Sequence, residues 1–207
     1  MAECLDIGCG PAKPQGFDGI DVHRYAGVDY VHDLDSPAPW PIADNRYTHL
    51  RANHVIEHLR DLRRFFAEIH RIARPGASVR IETPHFSSRN SWADPTHVQH
   101  LSVSFCEPFL HGYLSPQFPR FALTRRKIKF GGGLLPWPGR LLCWLLGPVS
   151  YEKHFAWMFP ASSIVVELQV VKTAETPPET PNAAAESGTA AAPPSDHHRT
   201  LESGHVG

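Results

Sequence analysis

A three-layer α/β sandwich built on a mostly parallel sheet is the fold class this sequence predicts, on three observations. Short apolar runs recur at Cys4 to Ile7, Gly19 to Val22, Val28 to Val31, Tyr47 to Ala52 and Ser78 to Glu82, with the length and composition of strands buried on both faces. The first run enters the turn Gly8-Cys9-Gly10, where two glycines let the backbone fold back tightly. An amphipathic segment leads straight into the last run, and a helix feeding a strand after earlier strands indicates right-handed parallel crossovers.

That helix is expected from about Asp61 to Ala73. Leu62, Phe65, Phe66, Ile69 and Ile72 repeat on one face, with Arg63, Arg64, Glu68 and Arg71 on the other, and Pro75-Gly76 ends it. The arginines at 60, 63, 64, 71 and 74 read as a solvated helix surface. In the second half, Phe121 to Phe130 and Ser163 to Lys172 are expected to pair antiparallel at the sheet edge. The fold is thus Rossmann-like with an antiparallel edge pair.

With 207 residues, 42% of them hydrophobic, the chain supports one sizeable core. From Thr173 to Gly207 it turns to Ala, Pro, Thr, Ser and Glu without an aromatic residue, so a folded domain over 1–172 and a disordered tail over 173–207 are expected. A net charge of −1 gives no global attraction to nucleic acid, and none is expected as a partner. The four cysteines (Cys4, Cys9, Cys106, Cys143) form no CxxC pair and read as reduced thiols. Met1 to Gly10 carries an acid and runs directly into a strand, unlike a signal peptide, which makes the cytoplasm the expected location.

The glycine turn limits the ligand. Asp6 stands beside it, where a carboxylate repels a pyrophosphate but suits a ligand carrying an ammonium or sulfonium cation. The third glycine of a dinucleotide site is missing, with Ala12 and Lys13 in its place, and Pro11 and Pro14 oppose an immediate long helix. Asp21 closes a strand where a carboxylate can accept both ribose hydroxyls, and Asp33 follows the next, where it can face an adenine amino group. Either acid alone is more simply a solvated or capping residue; together with Asp6 and the glycines they outline a nucleoside site.

Five stretches in order, LDIGCGPAK, GIDV, HDLDSP, ANHVIEHL and EIHRIARPGA running into VRIETPHF, resemble the class I S-adenosylmethionine-dependent methyltransferases of the type-11 kind. The resemblance covers Leu5 to about Phe109 and implies S-adenosylmethionine as cofactor. It places Asp6, Gly8 and Gly10, with Cys9 between them, at the methionine end, Asp21 at the ribose, Asp33 and Leu34 at the adenine, and Asn53 and His54 along the site after the fourth strand. About ten residues separate Gly10 from Asp21, half of a full Rossmann unit, so the first crossover is expected to be a minimal loop or a single turn.

The acceptor side is read from position and chemistry. Of 14 histidines, His85, His97, His100 and His111 follow the fifth strand, with Asp94 among them. Asp94, His97 and His100, spaced i, i+3, i+6 across Pro95, diverge too far to share an ion, so no metal site is expected. Loops after parallel strands bind ligands, which makes His85 and His97 the candidate proton acceptors and Asp94 the group that orients them. Glu57 and His58 read as structural. Leu134 to Val149 is strongly apolar yet too short to span a bilayer; a packed lid is favoured over a patch contacting membrane or a lipid-linked substrate. Arg125, Arg126, Lys127 and Lys129 are candidates for an anionic acceptor. The expected function is methyl transfer to a small-molecule, glycan-type or lipid-linked acceptor. A non-catalytic nucleoside-binding module and a metal-dependent hydrolase are the alternatives.

Overall fold

The computed structural model describes residues 3–110, 119–133 and 136–172; the expected tail from Thr173 and His111 lie outside them. Seven strands, β1 (Cys4–Ile7), β2 (Phe17–Asp21), β3 (Tyr30–Val31), β4 (Tyr47–Asn53), β5 (Ala73–Pro84), β6 (Arg120–Lys129) and β7 (Ser163–Val171), form one sheet in the order β3-β2-β1-β4-β5-β7-β6. The first five strands run parallel, and β7 runs antiparallel between β5 and β6, which realises the expected edge pair. The chain builds outward from β1 to β3, then returns to the other side of β1 with β4. That reversal leaves a crevice outside the carboxyl ends of β1 and β4, where ligands bind in such sheets.

The main helix, α1 (Leu62–Ile72), starts where Asp61 accepts a hydrogen bond from the Arg64 amide at 3.1 Å. Phe65, Phe66, Ile69 and Ile72 are fully buried, each contributing about 1.5 to 3 kcal/mol by leaving water. Phe66 stacks on Phe109 at 4.0 Å and meets Phe121 edge-on, which joins the helix to the edge strand β6.

The polar side of α1 departs from the expected solvated surface. Glu68 is buried and accepts hydrogen bonds from the Trp40 amide at 2.8 Å and from Arg71 at 2.7 and 3.1 Å. Arg71 also donates to the Ile42 and Trp40 carbonyls, and Arg64 to those of Pro37 and Ala38. The reason lies in the connections: no α-helix occurs between β1 and β4. The β3–β4 loop instead inserts Trp40 and Ile42 into the core, and its backbone polar groups, carried inward with them, find partners on α1.

Shorter helices follow: a 3-10 turn (Ile56–His58) after β4, α2 (Arg89–Ala93), α3 (Glu107–Leu110), α4 (Trp137–Leu146) and α5 (Pro148–Phe155). Of the expected packed lid over Leu134 to Val149, Leu134 and Leu135 lie outside the described residues, and the rest packs only in part. Leu142 and Cys143 rest against the core, but Trp137, Leu141, Trp144, Leu145 and Leu146 face solvent, Trp144 at 79% exposure. Among the described residues no helix is long and apolar enough to cross a membrane.

Candidate functional site

The glycine turn is fixed by sterics and by its own amides. Gly8 and Gly10 sit at φ +63° and +57°, left-handed backbone that favours glycine. A Cβ at Gly8 would lie 2.3 Å from Val55 Cγ2, whereas one at Gly10 meets open space. The Gly8 and Cys9 amides both donate to the Ile20 carbonyl, at 2.8 and 3.3 Å, and the Gly10 amide donates to Asp21 Oδ2 at 2.8 Å. All three N–H groups are thus engaged inside the protein, and the turn offers no nest of free amides for a phosphate. Cys9 is buried against Gly19; burial, then Asp21 and Asp6, pushes its thiol up.

Beside this turn lies a cleft of about 470 Å³, within the size range of small-molecule sites. Of the residues expected there, Gly8, Gly10, Asp21, Asp33, Leu34 and His54 line it. His23, Tyr25, Asp35 and His58 line it too, and pattern reading had not assigned them to it. Asp21 accepts from the Gly10 and His23 amides at 2.8 Å each, and Asp33 accepts from the Asp35 amide at 3.0 Å. The wall is therefore rich in carboxylate acceptors, suited to hydroxyl, amino and cationic groups.

Asp6 is placed differently from its expected role. Its carboxylate is buried beneath the turn, held by Arg51 Nε at 2.6 Å and Nη2 at 3.2 Å, its partner across β1 and β4. The pair is internally neutral, so preference for a cationic ligand passes to Asp21, Asp33 and Asp35. Asn53 lies exposed at the end of β4, outside the cleft lining.

A second hollow of about 520 Å³ opens on the acceptor side, lined by His54, Pro84, Asn90, Asp94, His97 and Ser162 among others. His54 is common to both spaces. It adopts φ +55°, rare for a residue with a Cβ, and its Nδ1 lies 3.1 Å from Glu57 Oε1. Glu57 is itself buried and accepts from Thr83 Oγ1 at 3.0 Å. The Glu57 hydrogen bond raises the His54 pKa against the opposing effect of desolvation. The signal was present in Asn53-His54-Val55-Ile56-Glu57, where the acid follows the histidine by one helical turn.

Asp94 and His97 do meet in this hollow, His97 Nε2 lying 3.8 Å from Asp94 Oδ2. Thr96, through its hydroxyl and amide, holds the Asp94 carboxyl below its usual range. His85 does not join them. Its ring is fully buried, with Nδ1 accepting from the Ser87 amide at 3.1 Å and Nε2 lying 3.1 Å from Glu152; it ties β5 to α5 and presents no free nitrogen to either space. His100 stacks on Trp92 at 3.6 Å. The basic run on β6 is also largely spoken for, since Lys129 pairs with Glu82, Arg126 with Glu107 and Arg125 with Glu167.

A profile of a family described as methyltransferase domain matches residues 2–169. No curated protein matches the chain in sequence. Among solved structures, an S-adenosylmethionine-dependent methyltransferase from Mesorhizobium loti is 13% identical, covering 81% of this chain and 90% of its own, with a TM-score of 0.52. One from Archaeoglobus fulgidus is 18% identical over 81% and 86%, with a TM-score of 0.50. Geranyl diphosphate C-methyltransferase from Streptomyces coelicolor A3(2) is 13% identical over 81% and 73%, with a TM-score of 0.52. At these identities the likeness is one of fold.

Proposed function

Because the chain belongs to the methyltransferase-domain family and is an S-adenosylmethionine-dependent methyltransferase, we propose that it methylates a small-molecule, glycan-type or lipid-linked acceptor seated in the hollow of His54, Asp94 and His97. The observation that carries this reading is the engaged glycine turn beside an acidic cleft. A site whose turn amides are all satisfied internally, and whose wall offers Asp21, Asp33 and Asp35, favours a nucleoside with a cationic tail over a dinucleotide. When bound, the cofactor supplies a methyl group on a sulfonium that is already activated. The protein's contribution is chiefly placement of the acceptor.

Each residue then has a defined task. Gly8 and Val55 set the floor of the cleft, Asp21 accepts hydroxyl donors, and Asp33 with Leu34 borders the base. His54 forms the wall shared with the acceptor hollow, where Asp94 and His97 hold the acceptor's polar end. The exposed apolar face of α4 supports a lipid-linked acceptor or a membrane surface as its source. Beside it, Lys127, Lys129, Arg140 and Trp144 line a further depression of about 590 Å³, pairing cationic with apolar groups as interfacial helices do. A neighbour of the same fold takes geranyl diphosphate, an apolar chain with an anionic head. The described cysteines are free, consistent with a cytoplasmic setting.

Calorimetry with S-adenosylhomocysteine tests the cofactor site. Binding is expected for the full chain, weakened by roughly 1 to 3 kcal/mol in Asp21→Asn, the range for a lost charged hydrogen-bond partner. Absence of binding to the folded protein would overturn the reading.

A further inference from the structure

Two histidines far apart in sequence meet at the junction of the two spaces. His58, on the 3-10 turn after β4, and His97, in the loop after α2, pack ring against ring at 4.7 Å. Each ring has one nitrogen occupied by the backbone: His58 Nδ1 faces the Thr96 carbonyl at 3.3 Å and its hydroxyl at 3.0 Å, and His97 Nδ1 faces the Ser91 carbonyl at 3.1 Å. A carbonyl oxygen only accepts, so a neutral ring in that position carries its hydrogen on Nδ1 and keeps a bare lone pair on Nε2. This is the arrangement that carbonyls impose on metal-binding imidazoles, fixing tautomer and ring orientation.

A carboxylate faces the His97 lone pair, and Glu57, whose oxygens also meet His54 Nδ1 and Thr83 Oγ1, lies close to both rings. His97 Nε2 lies 3.8 Å from Asp94 Oδ2, and the buried Glu57 adjoins both rings: one ligand atom from each of Glu57, His58 and His97 lies within 4.8 Å of the others. A lone pair opposed to a carboxylate oxygen, as between His97 and Asp94, is relieved by a positive charge between them, a proton or a metal ion. The two segments are also locked together, since the Val98 and Gln99 amides both donate to the Glu57 carbonyl, at 2.8 and 3.0 Å, and Gln99 Nε2 donates to the Leu59 carbonyl at 3.1 Å. A cation bound at about 2.1 Å needs ligand atoms roughly 3 to 4 Å apart, within reach of small rotations of the two imidazoles.

We propose that Glu57, His58 and His97 form a site for a divalent first-row transition-metal ion, with Asp94 at its edge, that holds an oxygen atom of the methyl acceptor at the mouth of the cofactor cleft. Two imidazoles and one carboxylate suit zinc, manganese, iron or cobalt; calcium and magnesium favour an all-oxygen set. Such a triad leaves coordination positions open, and the placement directs them usefully, because His97 lines the acceptor hollow and His58 the cofactor cleft. The acceptor class that follows is an oxygen ligand: a hydroxyl, whose proton a dication acidifies, or an anionic head group. The site departs from the sequence reading, which weighed and rejected Asp94, His97 and His100 as a metal set and read Glu57 and His58 as structural. This assignment of the acceptor rests on the methyltransferase reading; the metal site itself does not.

The test uses Co²⁺ alone as the probe, added to the full chain while visible absorption and calorimetry are recorded. The wild type is expected to bind one ion tightly with inner-sphere ligand-field bands. His58→Gln and His97→Gln should each lose more than the roughly 10- to 100-fold that removing a ligand's hydrogen-bond support costs, because each removes a ligand itself. His100→Gln should bind as the wild type does. The histidines at 197, 198 and 205 are common to every variant, so their background cancels in the comparison. Far-ultraviolet circular dichroism, measured without metal, reports that each variant is folded, and the S-adenosylhomocysteine affinity of the metal-free wild type tests the cofactor reading separately. Equal Co²⁺ affinity and spectrum in the wild type and a His58→Gln/His97→Gln double variant would overturn the site.

Discussion

Arg51 forks onto the buried Asp6 carboxylate across the two central strands, Nε to Oδ1 at 2.6 Å and Nη2 to Oδ2 at 3.2 Å. The acid that looks most like a ligand contact is therefore half of an internal ion pair. Removing one partner of such a pair strands the other. Arg51→Met is expected to lower unfolding free energy by about 3 kcal/mol, the low end for a buried pair because the arginine is partly exposed. Asp6→Asn should lower the melting temperature while changing S-adenosylhomocysteine affinity little. A large affinity loss at unchanged melting temperature would return Asp6 to the ligand.

The glycine turn separates two kinds of constraint. Gly10→Ala meets only the left-handed backbone penalty, about 1 to 2 kcal/mol, because its Cβ enters open space. Gly8→Ala meets that penalty and the Val55 side chain as well, adding about 1 to 3 kcal/mol of overpacking. Val55→Ala should rescue part of the Gly8→Ala loss and none of the Gly10→Ala loss. A double-mutant cycle in urea reads the coupling, and zero coupling would show the turn relaxing away from Val55.

Acid stability should depend on Glu68. Burial pushes its carboxyl up, but the Arg71 guanidinium and the Trp40 amide outweigh burial and hold it below the usual range. A depressed folded-state pKa gives stability that is complete above the unfolded value near 4.3 and is lost as pH falls through the folded value. Glu68→Gln should therefore be less stable than the wild type at pH 7, with the gap closing below about pH 4. Chemical denaturation at pH 7 and pH 3.5 measures it, and a constant gap would mean that the lost contacts, not charge, set the difference.

The apolar face of α4 should reveal its partner without cost to folding. Trp144 and Leu145 are 79% and 59% exposed, so Trp144→Ala/Leu145→Ala is expected to leave the melting temperature within about 1 kcal/mol equivalent of the wild type, as ordinary surface changes do. Sedimentation with phosphatidylglycerol vesicles should then fall severalfold relative to the wild type. Equal sedimentation would assign the face to something other than an anionic lipid surface.

Much of this arrangement was readable from residue order. The parallel strands and α1 follow from apolar runs and helical periodicity, because those patterns report burial directly. The turn glycines and the line of Asp21 and Asp33 were readable for the same reason, since local chemistry fixes them. Glu68 and Arg71 were not: on a helical wheel they fall on the polar side, and only the β3–β4 loop folding over them explains their burial. His85 was misplaced because sequence position marks the correct strand end but not whether the ring turns inward, a choice made by Glu152, 67 residues away. The meeting of His58 with His97 was hidden likewise, since 38 residues separate His58 from the Thr96 that orients it.

The helix-free stretch between β1 and β4 bears on how the protein lasts in the cell. Outside β2, β3 and the buried Ile20, Leu34, Trp40 and Ile42, its loops are tied by single side chains: Asp21 on the turn, Asp29 on the Gly19 amide at 2.7 Å, and Glu68 on Trp40. Each of these ties can open without unravelling a helix, which favours local opening of the loops they hold. A ligand in the adjoining cleft closes them by mass action, adding about 2.7 kcal/mol at a hundredfold excess over its dissociation constant. Cofactor occupancy is therefore expected to raise the protease resistance of these loops, which limited proteolysis with and without S-adenosylhomocysteine measures.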